Sequence, residues 1–136
     1  MIKIALMNQK GGTGKTTSVI NIGGELIRHG KTVLIIDMDT QGNATSNLQI
    51  VQEADKTMTD ALTDSAVLPA DTICHTVIDG LDIIPGGALL GGAYTALQKM
   101  VMGRETALKR LLAKLPANAY DFILFDGSLL HHPFND

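Results

Sequence analysis

Lys10-Gly11-Gly12-Thr13-Gly14-Lys15-Thr16-Thr17 stands between a short apolar run, Ile2-Lys3-Ile4-Ala5-Leu6-Met7, and an amphipathic pattern that begins at Lys15. Glycines let successive backbone N–H groups turn inward without a Cβ clash. A loop of that kind, followed by the first turn of a helix whose dipole favours negative charge, makes a nest for phosphate. Lys15 would then reach the outer phosphates of a nucleotide and the Thr16 hydroxyl would ligate Mg²⁺, with Thr17 beside a neighbouring phosphate. The simple pattern G-x-x-x-x-G-K-[ST] is not met, because Gln9 occupies the place of the first glycine. Lys10 instead precedes the Gly-Gly pair and brings a second lysine to the phosphates. A plain glycine-rich turn with surface lysines would not require strand, loop, Lys-Thr and helix in this order.

The flanking segments extend the pattern. Val19, Ile22 and Leu26 share a helical face with Ile20 and Ile27 beside it, and Gly30 sits where a helix-terminating glycine belongs. Gly23 and Gly24 lie inside this helix at a cost of about 1 kcal/mol each relative to Ala, an expense that close approach to a sheet would offset. Val33-Leu34-Ile35-Ile36 is continuously apolar, as a strand buried on both faces is, and ends in Asp37. Ala44–Ile50 and Thr57–Leu62 read as short helices, the second with Thr57 and Asp60 at capping-box spacing. Leu81–Ile84 reads as a third strand, stopped by Pro85 and the Gly86-Gly87 pair. Thr95–Met102 and Arg104–Leu115 read as helices; Ala107, Leu108, Leu111, Leu112 and Leu115 form the apolar stripe of the latter. Phe122–Phe125 is a fourth strand, again followed by aspartate, at Asp126. This order predicts an α/β fold, a parallel sheet with helical crossovers. Ligands of such sheets bind beyond the carboxyl ends of the strands, so Asp37, Asp126 and the loop from Asn8 to Gly14 are expected at one edge.

Composition narrows the function classes. A chain of 136 residues is one domain by length, and 45% hydrophobic with 18% charged residues is a core-forming composition. A net charge of −3 and 4% aromatic residues give no general attraction to nucleic acid and few base-stacking platforms. The single cysteine, Cys74, excludes an internal disulfide and a multi-cysteine metal site. No apolar run approaches the roughly 18 residues of a membrane span, and a soluble, cytoplasmic protein without membrane contact is expected. Cys74-His75 reads as a buried thiol beside an incidental histidine. His131-His132 lacks the further ligands of a zinc site, Ser128 lacks the context of a nucleophile, and Arg104, Lys109, Arg110 and Lys114 read as a solvated basic face.

Lys10 to Thr17 resembles the deviant Walker A motif of the ParA/Soj partition ATPases, relatives of MinD, within the P-loop NTPase fold. The resemblance continues through Asp37-Met38-Asp39-Thr40-Gln41-Gly42-Asn43-Ala44-Thr45, where Thr40 replaces the proline of that family, and through Tyr120–Asp126, which is similar to its Walker B segment. It implies binding of ATP and Mg²⁺ by Lys10, Gly11, Gly12, Thr13, Gly14, Lys15, Thr16 and Thr17, with Thr16, Asp37 and Asp126 serving the metal. It implies that Lys10 reaches the nucleotide of a partner subunit and that Asp39 positions the attacking water, so that these two carry catalysis. It also implies an ATP-bound homodimer, a ParB-like stimulator and non-specific DNA as partners, and a function in plasmid or chromosome partitioning.

Beyond Asp126 the pattern departs from that family, which continues Cys or Ala, Pro, Pro, Ser, Leu, Gly, whereas this chain continues Gly127-Ser128-Leu129-Leu130. The expectation is therefore residues 1–126 as the N-terminal part, about half, of a P-loop ATPase domain, and 127–136 as a divergent tail. With the other half absent, Ile2, Ile4 and Leu6 would flank an unpaired sheet edge. Two alternatives stand beside the partition ATPase: an inactive nucleotide-binding remnant and a MinD-like membrane-associated ATPase.

Overall fold

The computed structural model describes residues 2–8, 15–39, 41–87 and 103–128. The elements run β1 (Ile2–Asn8), α1 (Lys15–Arg28), β2 (Val33–Asp37), α2 (Asn43–Asn47), β3 (Ile50–Gln52) and α3 (Met58–Thr63). A 3₁₀ turn at Pro69–Asp71 leads to β4 (Cys74–Thr76), β5 (Leu81–Ile84), α4 (Gly103–Ala113) and β6 (Phe122–Ser128). The helix expected over Thr95–Met102 lies outside the described residues, as do Gln9 to Gly14.

Six strands form one sheet in the order β1-β6-β2-β5-β4-β3. The four strands read from the sequence, β1, β2, β5 and β6, pair in parallel as expected. The sheet is mixed rather than wholly parallel, because β4 and β3 add antiparallel beyond β5. Three-residue strands are too short to show a period of two, which is why the sequence did not disclose them. β1 stands at one end of the strand order beside β6, and Ile2 is 56% exposed.

Strand β2 explains the layering. All five of its residues are buried. Leu34 and Ile36 pack with α3 and α4 through Met58, Leu62, Leu108 and Leu111. Val33 and Ile35 face the other way, with Val19 of α1, Leu81 and Leu124, and Ile20, Ile22, Leu26 and Ile27 complete that layer. The continuous apolar run thus serves two cores, as a strand covered on both sides must. A methyl group at Gly23 would stand 3.4 Å from Leu81 Cδ1 and 3.6 Å from Ile35 Cδ1, which is ordinary contact, while Gly24 has open space. Gly23 therefore faces the sheet, but the packing reason does not extend to Gly24. Gly30 closes α1 at φ 78°, a conformation open to glycine at little cost.

Short elements are fixed locally. Thr57 Oγ1 accepts from the Asp60 N–H at 3.2 Å, and the Thr57 N–H donates to Asp60 Oδ2 at 2.9 Å, completing the capping box of α3. Beside buried Cys74, exposed His75 is engaged rather than incidental: its Nδ1 lies 2.7 Å from Asp82 Oδ1, tying β4 to β5. Tyr120 donates to Asp82 Oδ2 at 2.6 Å. Desolvation, followed by this carboxylate, pushes the phenol well above its ordinary value.

Candidate functional site

The parallel ladder brings three strand ends together. Leu6 pairs with Asp126 across β1–β6, and Asp126 pairs with Asp37 across β6–β2. Register partners on parallel strands project to the same face. Ile35 and Leu124, two residues before the aspartates, both pack on the α1 side, so strand alternation puts both carboxylates on that side. β1 ends at Asn8, two residues beyond the rung of Leu6 with Asp126, and α1 begins at Lys15. Lys10, Gly11, Gly12, Thr13 and Gly14 lie outside the described residues; Lys15 and Thr16 open the backbone of α1, and Thr17 is exposed in its first turn.

Asp37 and Asp126 are fully buried, and Asp39 is 3% exposed. Burial pushes Asp37 from 3.8 up to about 6; hydrogen bonds from Thr45 and from the Asp39 N–H pull it down, and the Asp126 charge adds to the rise. Two acidic groups held side by side in a site of low polarity form an arrangement that a hard cation relieves.

Asp37 and Asp39 are gripped by the segment that follows β2. Asp37 Oδ1 accepts from the Asp39 N–H at 3.0 Å; its Oδ2 accepts from the Thr45 N–H at 2.9 Å and from Thr45 Oγ1 at 2.6 Å. Asp39 Oδ1 accepts from the Gln41 N–H and its Oδ2 from Asn43 Nδ2, both at 2.9 Å. The reversal needs Gly42, whose φ of 65° leads into α2. Helix α2 is shorter than the Ala44–Ile50 expectation and starts one residue earlier, which places Asn43 and Thr45 against the two acids. From the other side, the Gly86 N–H donates to Thr45 Oγ1 at 2.9 Å. A methyl group on Gly86 would fall 2.6 Å from the Asp37 carbonyl oxygen and 2.8 Å from its carboxyl carbon. Sequence reasoning took Gly86 as a strand stop and named Thr45 only within the resemblance; the side-chain contacts of both depend on long-range packing. Among the described residues no group of three or more His, Cys, Asp or Glu is disposed to hold a metal ion by itself. A metal site built from few carboxylates, phosphate oxygens and waters is the kind that Mg²⁺ favours.

A family model described as an AAA domain matches residues 1–130. Over 124 residues the chain is 44% identical to the sporulation initiation inhibitor protein Soj of Bacillus subtilis, covering 90% of this chain and 48% of that protein. The chain belongs to the ParA/Soj family of AAA domains. Another ParA/Soj relative, the chromosome-partitioning ATPase Soj of Thermus thermophilus, is 40% identical over 92% of this chain and 45% of its own length. Among solved structures, cobyrinic acid a,c-diamide synthase from Mycobacterium smegmatis, with bound ATP analog and magnesium, superposes with a TM-score of 0.80 at 36% identity, covering 94% of this chain and 51% of that one. McdA of Cyanothece in its apo form gives 0.78 at 28% identity, covering 94% and 50%. The ParA/Soj chain thus spans about half the length of the curated relatives it matches. Its six-stranded mixed sheet with flanking helices is the P-loop fold of these neighbours. No helix among the described residues is long and apolar enough to cross a membrane.

Proposed function

We propose that the chain binds ATP together with Mg²⁺ and works as the nucleotide-binding part of a partition ATPase. The observation that carries this reading is the pairing of Asp37 with Asp126 on adjacent strands, beside the end of β1 after which the glycine-rich segment follows in sequence. Backbone N–H groups from Gly11 to Gly14 and the start of α1 bind the phosphates, with Lys15 supplying charge. Mg²⁺, when bound, neutralises charge on the β- and γ-phosphates. Thr16 would be its direct protein ligand, and Asp37 and Asp126 would hold it through water. Asp39, the next acid after Asp37, orients the attacking water, and Lys10 stabilises charge on the phosphate of a partner's nucleotide. Its contribution is comparable in kind to an arginine finger, which is worth about 10³–10⁵ in rate. The name of the Thermus relative supports partition of a chromosome; a plasmid as cargo, and a ParB-like stimulator and DNA as partners, rest on the resemblance of the sequence motifs alone.

The test is equilibrium binding of a fluorescent ATP analogue to this chain with Mg²⁺, alongside phosphate release measured across protein concentrations. Saturable binding that Lys15→Ala weakens at least tenfold supports the reading. Turnover that rises more steeply than protein concentration supports the dimer, and binding without turnover assigns the chain to nucleotide binding alone. No saturable binding by the parent chain overturns the proposal.

A further inference from the structure

A strand-end carboxylate rotates broadly about its last side-chain bond. A carboxylate that serves a cation must have that rotation stopped, and outer partners do this at metal sites. At Asp37 the stop is provided from 8 residues away in sequence. Thr45 gives Asp37 Oδ2 two hydrogen bonds, one from its N–H and one from its hydroxyl. The hydroxyl has a single proton, and its oxygen already accepts from the Gly86 N–H. Gly86 N–H has no acceptor capacity, so the direction of the chain is settled: Gly86 donates to Thr45, and Thr45 donates to Asp37. Donors in such a chain polarise one another.

An ionised carboxylate offers about four lone-pair positions. Three are filled among the described residues, by the Asp39 N–H, the Thr45 N–H and Thr45 Oγ1. The remaining one is on Oδ1. Gly86 also blocks retreat of the acid, since there is no room for even a methyl group between it and Asp37. We propose that Thr45 is a positioning residue for the cation that accompanies bound nucleotide, fixing the Asp37 carboxylate with its hydroxyl while the Gly86 N–H fixes that hydroxyl. The inference rests on the nucleotide reading above and adds to it a residue on a separate five-residue helix, linked across 41 residues of sequence to the end of β5.

Thr45→Val keeps the shape and removes the hydroxyl; Thr45→Ser keeps the hydroxyl. Binding of a fluorescent ADP analogue is titrated with Mg²⁺ and, separately, measured in EDTA. Thr45→Val should lower the apparent Mg²⁺ affinity of the nucleotide complex by about tenfold or more, leave nucleotide affinity in EDTA unchanged, and speed amide exchange at Gly86. Thr45→Ser should restore both. Ser46→Ala removes a hydrogen bond of the same helix, Ser46 Oγ to the Gly42 carbonyl at 2.9 Å, without touching Asp37, and should leave the Mg²⁺ dependence as in the parent. If Thr45→Val does not fold, Thr45→Ala carries the test, since alanine suits the helix and retains the backbone donor. Parental Mg²⁺ dependence in the folded hydroxyl-less variant overturns the positioning function and leaves the nucleotide reading standing. A parent chain that binds no nucleotide overturns both.

Discussion

Gly86→Ala isolates one contact behind the site. Gly86 does not have positive φ, so alanine meets no backbone penalty there, and the effect is steric. The new methyl group would lie 2.6 Å from the Asp37 carbonyl oxygen, 2.8 Å from Cγ and 2.9 Å from Oδ1. Non-bonded heavy atoms prefer about 3.5–4.0 Å, so something must move by nearly 1 Å. Asp37 ends a fully buried strand held between β5 and β6, and its carboxylate is tied to Thr45 and to the Asp39 N–H. None of these is the free end of a flexible side chain. Overpacking of this kind costs about 1–3 kcal/mol. With a urea slope of about 1–3 kcal/mol per molar, the unfolding midpoint should fall by roughly 1 M at an unchanged slope. Urea denaturation followed by circular dichroism measures it. A midpoint within about 0.2 M of the parent, well inside the scatter of ordinary surface changes, would refute the close packing of Gly86 on Asp37.

Gly24→Ala should have the opposite sign: the position is mid-helix with open space around it, so stability should rise by about 0.5–1 kcal/mol, read as a melting temperature higher by a few degrees. The raised pKa of Asp37, about 6 against 3.8, makes the native state hold a proton that the unfolded chain has lost. Its contribution to stability is therefore present below pH 3.8 and disappears as pH rises through 6, a change of about 2–3 kcal/mol between pH 4 and pH 7. Asp37→Asn removes this titration, and a constant offset from altered hydrogen bonds cancels between the two pH values. The lowered groups Asp60 and Asp121 act in the opposite sense in both proteins and cancel as well. The variant should gain on the parent by that amount as pH rises, and parallel stability curves in urea would count against the assignment.

What was legible in the sequence had local causes. Val33 to Ile36 announced a doubly covered strand because both faces need apolar cover, and Thr57 with Asp60 announced a cap because both partners lie within one turn. Asp37 and Asp126 were placed at one edge because parallel strands share a direction, and the ladder sets them in register. Non-local contacts escaped. β3 and β4 are held by pairing with a neighbour rather than by pattern. The hold of Thr45 on Asp37 needs a left-handed turn at Gly42 and a donor from Gly86, 41 residues away. His75 looked incidental because Asp82 meets it only once β4 has docked on β5.

The shared rung of Asp37 and Asp126 has a consequence for assembly of the fold. Side chains alternate along a strand, so a one-residue slip between β2 and β6 would send the two acids to opposite sides of the sheet. A ligand that engages both acids at once therefore binds only chains whose central strands are correctly aligned. By mass action it would draw misaligned forms back toward the native ladder. The charged rung would then act as a proofreading mark for the strands that carry it.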